Sequence, residues 1–284
     1  MARTSPLLNV MIGAAEKAGR ALVRDFGEVE QLQVSRKGPA DFVSNADTKA
    51  EKVLREELQR VRPNYGLLME ESGEEIGPDR DSRWIVDPLD GTTNFLHGIP
   101  HFAVSVALEQ YGELVAGVIY NPVHDELYFA EKGQGAYIRA THAKSRRLRV
   151  SGRGRLADSL IGTGIPFLGR GSTEDHETFL RTQAAVMGAT AGIRRIGVAS
   201  LDLAFVASGR LDGFWEFGLS PWDIAAGIVL VREAGGYVTG IEGRPIDLAD
   251  GDVLAANDQL HGPLRKLLAE ALRGDQQAPG RASG

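Results

Sequence analysis

Trp84-Ile85-Val86-Asp87-Pro88-Leu89-Asp90-Gly91-Thr92-Thr93-Asn94-Phe95 joins an apolar run to two carboxylates, a glycine and a pair of hydroxyl residues. The run reads as a short buried strand whose end delivers Asp87 and Asp90 to one point. Carboxylates and a backbone carbonyl are hard oxygen ligands, matched to Mg²⁺ rather than to softer metals. Gly91-Thr92-Thr93-Asn94 reads as the opening of a helix, where free N–H groups suit a phosphate. Metal ligands and a phosphate cradle so close together point to metal-assisted phosphoryl chemistry.

Working outward, three more acidic positions join this pair. Glu70-Glu71 ends the strand expected over Tyr65 to Met69, and Asp223 follows Pro221-Trp222 at the start of a late helix. Crowded carboxylates repel and raise one another's pKa values, and a divalent cation reverses that penalty. Taken alone, Glu70-Glu71 could be a solvated loop, and Asp223 is an ordinary first-turn acid favoured by the helix dipole. Their company gives them meaning. Asp47 and Thr92 are each bland as first-turn acid and helix cap. As a pair they would relay a proton, the carboxylate accepting from the hydroxyl and the hydroxyl from a water.

The periodicity predicts a helix through Leu7 to Phe26, an extended piece over Gln31 to Val34, and a turn or mobile loop at Lys37-Gly38-Pro39-Ala40-Asp41. A second helix runs from Ser44 or Asn45 to about Arg62, with Asp47 in its first turn. A polar loop spans Gly73 to Ser82, followed by strands over Arg83 to Val86, His101 to Glu109, Leu114 to Tyr120 and Glu126 to Glu131. From about Arg146 strands and helices alternate. Strands are expected at Leu160 to Gly164, Ile193 to Gly197, Gly213 to Phe217, Tyr237 to Thr239 and Val253 to Ala256. Helices are expected at Glu174 to Met187, Ser200 to Ala207, Trp222 to Ala234 (read as amphipathic) and Leu260 to Leu272. The division is an N-terminal half 1–145 with most metal ligands, a C-terminal half 146–273 with Asp223, and a disordered tail 274–284.

Weaker signals take structural readings. His97 and His101 are four apart, but Gly98 and Pro100 keep them off one helix face. Gly133-Gln134-Gly135 makes a turn, and Lys144 to Arg149 is a solvated basic run. Arg194-Arg195 could meet a phosphate, a partner subunit or a surface acid.

With 284 residues, 43% hydrophobic and 25% charged, the chain has the composition of an ordinary globular protein with a real core. A net charge of −6 argues against general nucleic-acid binding. The absence of cysteine excludes disulfides, thiolate catalysis and Cys-ligated zinc. No signal peptide or membrane-length apolar stretch stands out, so a cytoplasmic protein without membrane association is expected.

Together these motifs resemble the inositol monophosphatase family. The stretch from Trp84 to Phe95 is similar to its first signature, and Pro221-Trp222-Asp223-Ile224-Ala225-Ala226-Gly227 to its second. Lys37 to Asp41 and Glu70-Glu71-Ser72 match in the expected order, and the bacterial members are most alike. The resemblance implies a mixed α/β fold, a layered αβαβα sandwich with its site between the halves. It implies two or three Mg²⁺ ions: Glu70, Asp87 and the Leu89 carbonyl for one; Asp87, Asp90 and Asp223 for a second; a looser third near Glu70. Gly91 and Thr92 would contact phosphate, with Leu89, Asp90 and Asp223 also beside substrate. Gly197, Val198, Ala199 and Glu216 would meet the ring, with Arg194 just before them. Lys37 and Asp41 would complete the metal site from a moving loop. A homodimer and lithium inhibition are implied in the same way.

The expected reaction is hydrolysis of a small phosphorylated polyol, myo-inositol monophosphate, by direct attack of an activated water. Glu70, Thr92 and Asp47 would serve as the catalytic proton acceptors. Related families cleave fructose 1,6-bisphosphate, histidinol phosphate or adenosine 3′,5′-bisphosphate, which keeps those esters as alternatives. Some bacterial relatives act in transcription complexes, so a regulatory protein bound to the transcription machinery is the alternative from another class. Ser220-Pro221 and the run Thr163-Gly164-Ile165-Pro166-Phe167 depart from the animal enzymes near the expected ring site.

Overall fold

The computed structural model describes residues 4–27, 34–38, 41–140, 144–166 and 172–273. The expected extended piece at 31–33, Pro39-Ala40 of the expected turn, Phe167 and the expected tail 274–284 lie outside the described residues.

Helix α1 (Pro6–Phe26) starts where Ser5 accepts the Leu8 N–H at 3.1 Å, with Pro6 preset for the first turn. Strands β1 (Val34–Gly38) and β2 (Asp41–Ser44) form an antiparallel hairpin. Lys37 and Asp41, expected in a turn or loop, thus lie on its two arms. Helix α2 (Asn45–Val61) packs on α1, burying Ala46, Asp47, Ala50, Leu54 and Leu58.

The first sheet takes β3 (Tyr65–Met69), β4 (Gly73–Glu75), β5 (Asp79–Asp90), β6 (Ala103–Gln110), β7 (Glu113–Asn121), β8 (Glu126–Glu131), β9 (Gly135–Arg139) and β10 (Arg146–Arg147). Its order is β10-β9-β8-β7-β6-β5-β3-β4, with β3 parallel to β5. The segment expected as one polar loop after Gly73 instead supplies β4 and the first residues of β5. Polar sequence there fits because β4 is the sheet edge, where one side faces water. Short helix α3 (Thr92–Leu96) follows β5 directly.

The second sheet takes β11 (Leu160–Thr163), β12 (Gly192–Arg194), β13 (Gly213–Glu216), β14 (Tyr237–Thr239) and β15 (Val253–Ala256), in the order β12-β11-β13-β15-β14. Its helices are α4 (Thr173–Ala189), α5 (Ala199–Ala207), α6 (Pro221–Glu233) and α7 (Asp258–Leu272). Helices α4 and α7 pack together on its outer side, and α5 and α6 lie between the two sheets. The layers are therefore α1/α2, first sheet, α5/α6, second sheet, α4/α7: the expected αβαβα sandwich.

Strand alternation explains how the first sheet serves two cores. Ile85, Ala107, Ile119 and Tyr128 face the α5/α6 layer. Trp84, Val86, Val106 and Val118 face α1 and α2. The expectation of an amphipathic helix at Trp222 to Ala234 is corrected here. Every residue from Ile224 to Val231 is buried, because a helix between two sheets has no solvent side. The fit is close: a Cβ at Gly117 on β7 would come within 2.6 Å of the Ala226 carbonyl oxygen. One apolar core joins strands of the first half to α5 and α6 of the second.

Candidate active site

Three turns converge at the edge of the α5/α6 layer. Strand β5 runs on through Pro88 to Asp90, with a register shift against β6 between Asp87 and Asp90. The irregularity turns both carboxylates toward one point, a common use of a bulge beside a site. The Leu89 N–H bonds Asp87 Oδ1 at 2.8 Å, fixing the turn. Gly91 then takes φ 99°, a left-handed conformation that suits glycine, and a Cβ there would lie 2.8 Å from Val198 Cγ2. Asp223 stands in the first turn of α6, where its Oδ2 accepts the Ser220 N–H at 2.7 Å.

Ligand oxygens of Asp87, Asp90 and Asp223 lie within 4.8 Å of one another. Asp87 is 1% exposed and Asp90 9%. Burial pushes the Asp87 carboxyl well above the usual range, and the charges of Glu70, Asp90 and Asp223 push it further. Asp223 is raised in the same way, by burial and then by Asp90 and Glu70. Burial lifts Asp90 to about 6, against the opposing pull of Ser200, whose N–H bonds Asp90 Oδ2 at 2.8 Å. Glu70 enters from the end of β3, where its N–H continues the ladder to the Val86 carbonyl at 3.2 Å. Its neighbour Glu71 points its backbone elsewhere, donating to Glu51 Oε2 at 2.8 Å.

This donor set fits a hard divalent cation. Mutually repelling carboxylates whose charges are shifted by other acids and by no cationic side chain are destabilising until a positive charge enters. All-oxygen ligation matches Mg²⁺.

Asp47 and Thr92 meet. The Thr92 Oγ1 lies 3.1 Å from Asp47 Oδ1 and 3.1 Å from the Leu89 carbonyl oxygen. The hydroxyl has one proton for these two acceptors, so the pair expected from sequence exists with Leu89 as a competitor. Asp47 is fully buried.

The ring-contact positions also gather here. Gly197 has φ 82°, Val198 caps α5, and Ala199 opens it. Asn94 ties this segment to the first signature, its amide donating to the carbonyls of His101 (2.9 Å) and Ile196 (3.1 Å). Glu216 ends β13 against Gly164, where any Cβ would overlap its carboxylate. Burial and then the Asp90 charge raise Glu216 to about 8. Arg194 is exposed, with its guanidinium on the Ile193 carbonyl at 3.0 Å. Arg195 is the arginine whose charge reaches Glu216, and its guanidinium lies over Gly197.

Asp202 was not singled out from sequence. It is 1% exposed on α5, and its Oδ1 has no hydrogen-bond partner. Burial raises its carboxyl well above the usual range, with Glu216 and Asp90 adding to the shift. The signal was present: a lone acid inside the apolar run Leu201 to Ala207 is the kind of buried polar residue that calls for a reason. His97 caps the end of α3, and His101 packs on Phe205 with ring centroids 5.9 Å apart. Burial, then His124, lowers His101 to about 4.

Residues 3–277 match the inositol monophosphatase family. The chain is 58% identical over 272 residues to a Mesorhizobium japonicum protein named inositol-1-monophosphatase, covering 96% of this chain and 99% of that one. It is 44% identical to the Pseudomonas aeruginosa protein named Nus factor SuhB, covering 89% and 92%. The crystal structure of extragenic suppressor protein suhB from Bartonella henselae superposes with a TM-score of 0.88 at 56% identity, covering 93% and 98%. The site, the layers and these likenesses agree, and the chain belongs to the inositol monophosphatase family.

Proposed function

We propose that the protein hydrolyses myo-inositol monophosphate to inositol and phosphate as a Mg²⁺-dependent phosphomonoesterase. The observation that carries this reading is the convergence of Asp87, Asp90 and Asp223 within 4.8 Å, beside the Asp47–Thr92 pair. Glu70, Asp87 and the Leu89 carbonyl would hold one ion, Asp87, Asp90 and Asp223 a second, and the Glu70 side a third. When bound, the cations supply a water of lowered pKa and offset charge on the phosphoryl group.

The chain's own groups do the rest. Thr92 donates its proton to the Asp47 carboxylate, since a charge-assisted bond outweighs the bond to the Leu89 carbonyl. That leaves Thr92 Oγ1 as an acceptor for the attacking water, and Glu70 takes a proton from its other side. The N–H groups of Gly91 and Thr92 bind phosphate oxygens. Asp223 orients the leaving alkoxide end, and Gly197, Val198, Ala199 and Glu216 hold the ring. Arg194, expected beside them, is the weaker contact, because Arg195 has the charge that reaches Glu216.

The test is phosphate release from myo-inositol 1-phosphate with and without Mg²⁺, beside fructose 1,6-bisphosphate, histidinol phosphate and adenosine 3′,5′-bisphosphate. Strong Mg²⁺-dependent turnover of the inositol ester is expected. Better turnover of another ester moves the substrate assignment to it, and none with any ester overturns the reading.

Homodimerisation, lithium inhibition and a cytoplasmic location form part of the same proposal. No helix among the described residues is long and apolar enough to cross a membrane. The negative net charge supports a role without direct nucleic-acid binding. The 44% identity to a protein named Nus factor SuhB favours a second reading, a partner in the transcription machinery. Retention of RNA polymerase or a transcription factor on the immobilised protein at physiological salt would support it, and a clean column would count against it.

A further inference from the structure

Beyond Glu216 and Asp223 the active centre opens into a cavity of about 370 Å³. It lies between the residues after β11, the start of α4 and the turn from β13 to α6. Ile165, Phe179, Phe217 and Leu219 give it apolar walls. Asp175 and Asp252 place carboxylates on its far side, and no Lys, Arg or His lines it among the described residues. That volume holds a ring or a short chain.

The two far carboxylates are held in place from outside the cavity. Asp175 Oδ2 accepts from the Ser172 N–H at 2.6 Å and its hydroxyl at 2.9 Å, in the capping box that starts α4. Asp252 Oδ1 accepts the Gly218 N–H at 3.0 Å, and Gly218 has φ 64°. Each acid therefore spends one oxygen on the scaffold. Among the described residues, the other oxygen of each makes no hydrogen bond. Among the described residues, a second phosphate or a carboxylate entering here would meet like charge and apolar wall. An ammonium group on a methylene stem would meet both walls and charges that suit it.

We propose that this cavity is a leaving-group subsite that selects phosphomonoesters whose alcohol carries a protonated amine on a short apolar arm. The inference rests on the phosphomonoesterase reading and names a substrate class for it. The neutral ring of an inositol ester uses only the mouth at Glu216, whereas an amino alcohol fills the cavity. Because the cavity is partly open to water, the preference is moderate, about fivefold in kcat/KM over a neutral isostere. It shrinks as salt is added.

The experiment measures kcat/KM with the full chain and Mg²⁺ for ω-amino, ω-hydroxy and ω-carboxy alkyl phosphates of matched length, from propyl to hexyl. Inositol 1-phosphate serves as the reference. The expected order is amino above hydroxy above carboxy, with the amino advantage lost in the Asp175→Asn/Asp252→Asn double variant. The ratio between esters is read, so a loss common to all of them does not disturb it. Equal rates for the three esters at every length, with inositol 1-phosphate turned over, overturn the subsite alone. An amino advantage that survives in the double variant also overturns it. Absence of turnover with every ester overturns the phosphomonoesterase reading, and the subsite falls with it.

Discussion

Glu126 and Asp87 are both carboxylates on strands of the first sheet, near the second half of the chain, and burial pushes both upward. At Glu126 the neighbours win. Arg210 donates through two nitrogens at 2.5 and 2.7 Å, the Tyr128 hydroxyl adds a bond at 2.6 Å, and the carboxyl falls below its ordinary range. At Asp87 the neighbours are Glu70, Asp90 and Asp223, and each raises it further. One acid is neutralised within the fold, and the other suits an ion from outside. The contrast separates acids that join the halves from acids proposed to hold metal.

The most severe break is Asp87→Asn. Turnover should fall by at least about a hundredfold, because both proposed ions lose a charged ligand. Thermal melting of the metal-free variant should match or exceed that of the parent, since a repelling charge is gone. A lower metal-free Tm would mean that Asp87 is a structural acid after all. Next comes Thr92→Ala, expected to lower kcat by about a hundredfold or more with little change in KM, as loss of a proton relay should. A change confined to KM, seen in steady-state kinetics, would make Thr92 a binding residue only.

On the other side of the comparison, Arg210→Ala should lower stability by roughly 1 kcal/mol in denaturant titration, the scale of a partly exposed ion pair. Activity per folded molecule should persist. An inactive but stable protein would merge the two classes of acid.

The smallest effect is a matter of pH. Asp90 is raised from 3.8 to about 6, so without metal its penalty is absent below the unfolded pKa and grows as pH rises through that window. Glu126 has the opposite sign: its contribution is present above its unfolded value and fades as pH falls through the lowered one. Added Mg²⁺ should therefore raise Tm more at about pH 7.5 than at about pH 5. An equal increment at both, in differential scanning fluorimetry, would detach the raised carboxyls from metal binding.

The first signature was legible because several needs fall on adjacent residues: an apolar strand, oxygen ligands, a left-handed glycine and a helix start. The Asp47–Thr92 contact was legible as chemistry but not as distance, since 3.1 Å depends on how α2 packs beside β5. Alternation predicted the central strands β3 and β5 to β8 of the first sheet and missed the short outer strands β4, β9 and β10. It missed the start of β5, where edge exposure makes a strand look like a loop. Helix α6 was misread as one-sided, because a single stretch of sequence does not reveal a second sheet above it. Asp202 stood out locally as a lone acid in an apolar run, but its neighbours Glu216 and Asp90, like the surroundings of Asp252, are brought near only by the tertiary fold.

The burial of α6 on both sides has a consequence during synthesis. Asp223 comes into place only when its helix sits between two finished sheets, and its companions Asp87 and Asp90 leave the ribosome much earlier. A nascent chain that stops before α6 lacks a proposed ligand, and one that makes α6 without docking it has that carboxylate in the wrong place. On the proposed reading, hydrolysis is thus withheld until the protein is assembled, and fragments of the chain are harmless to the phosphate esters around them.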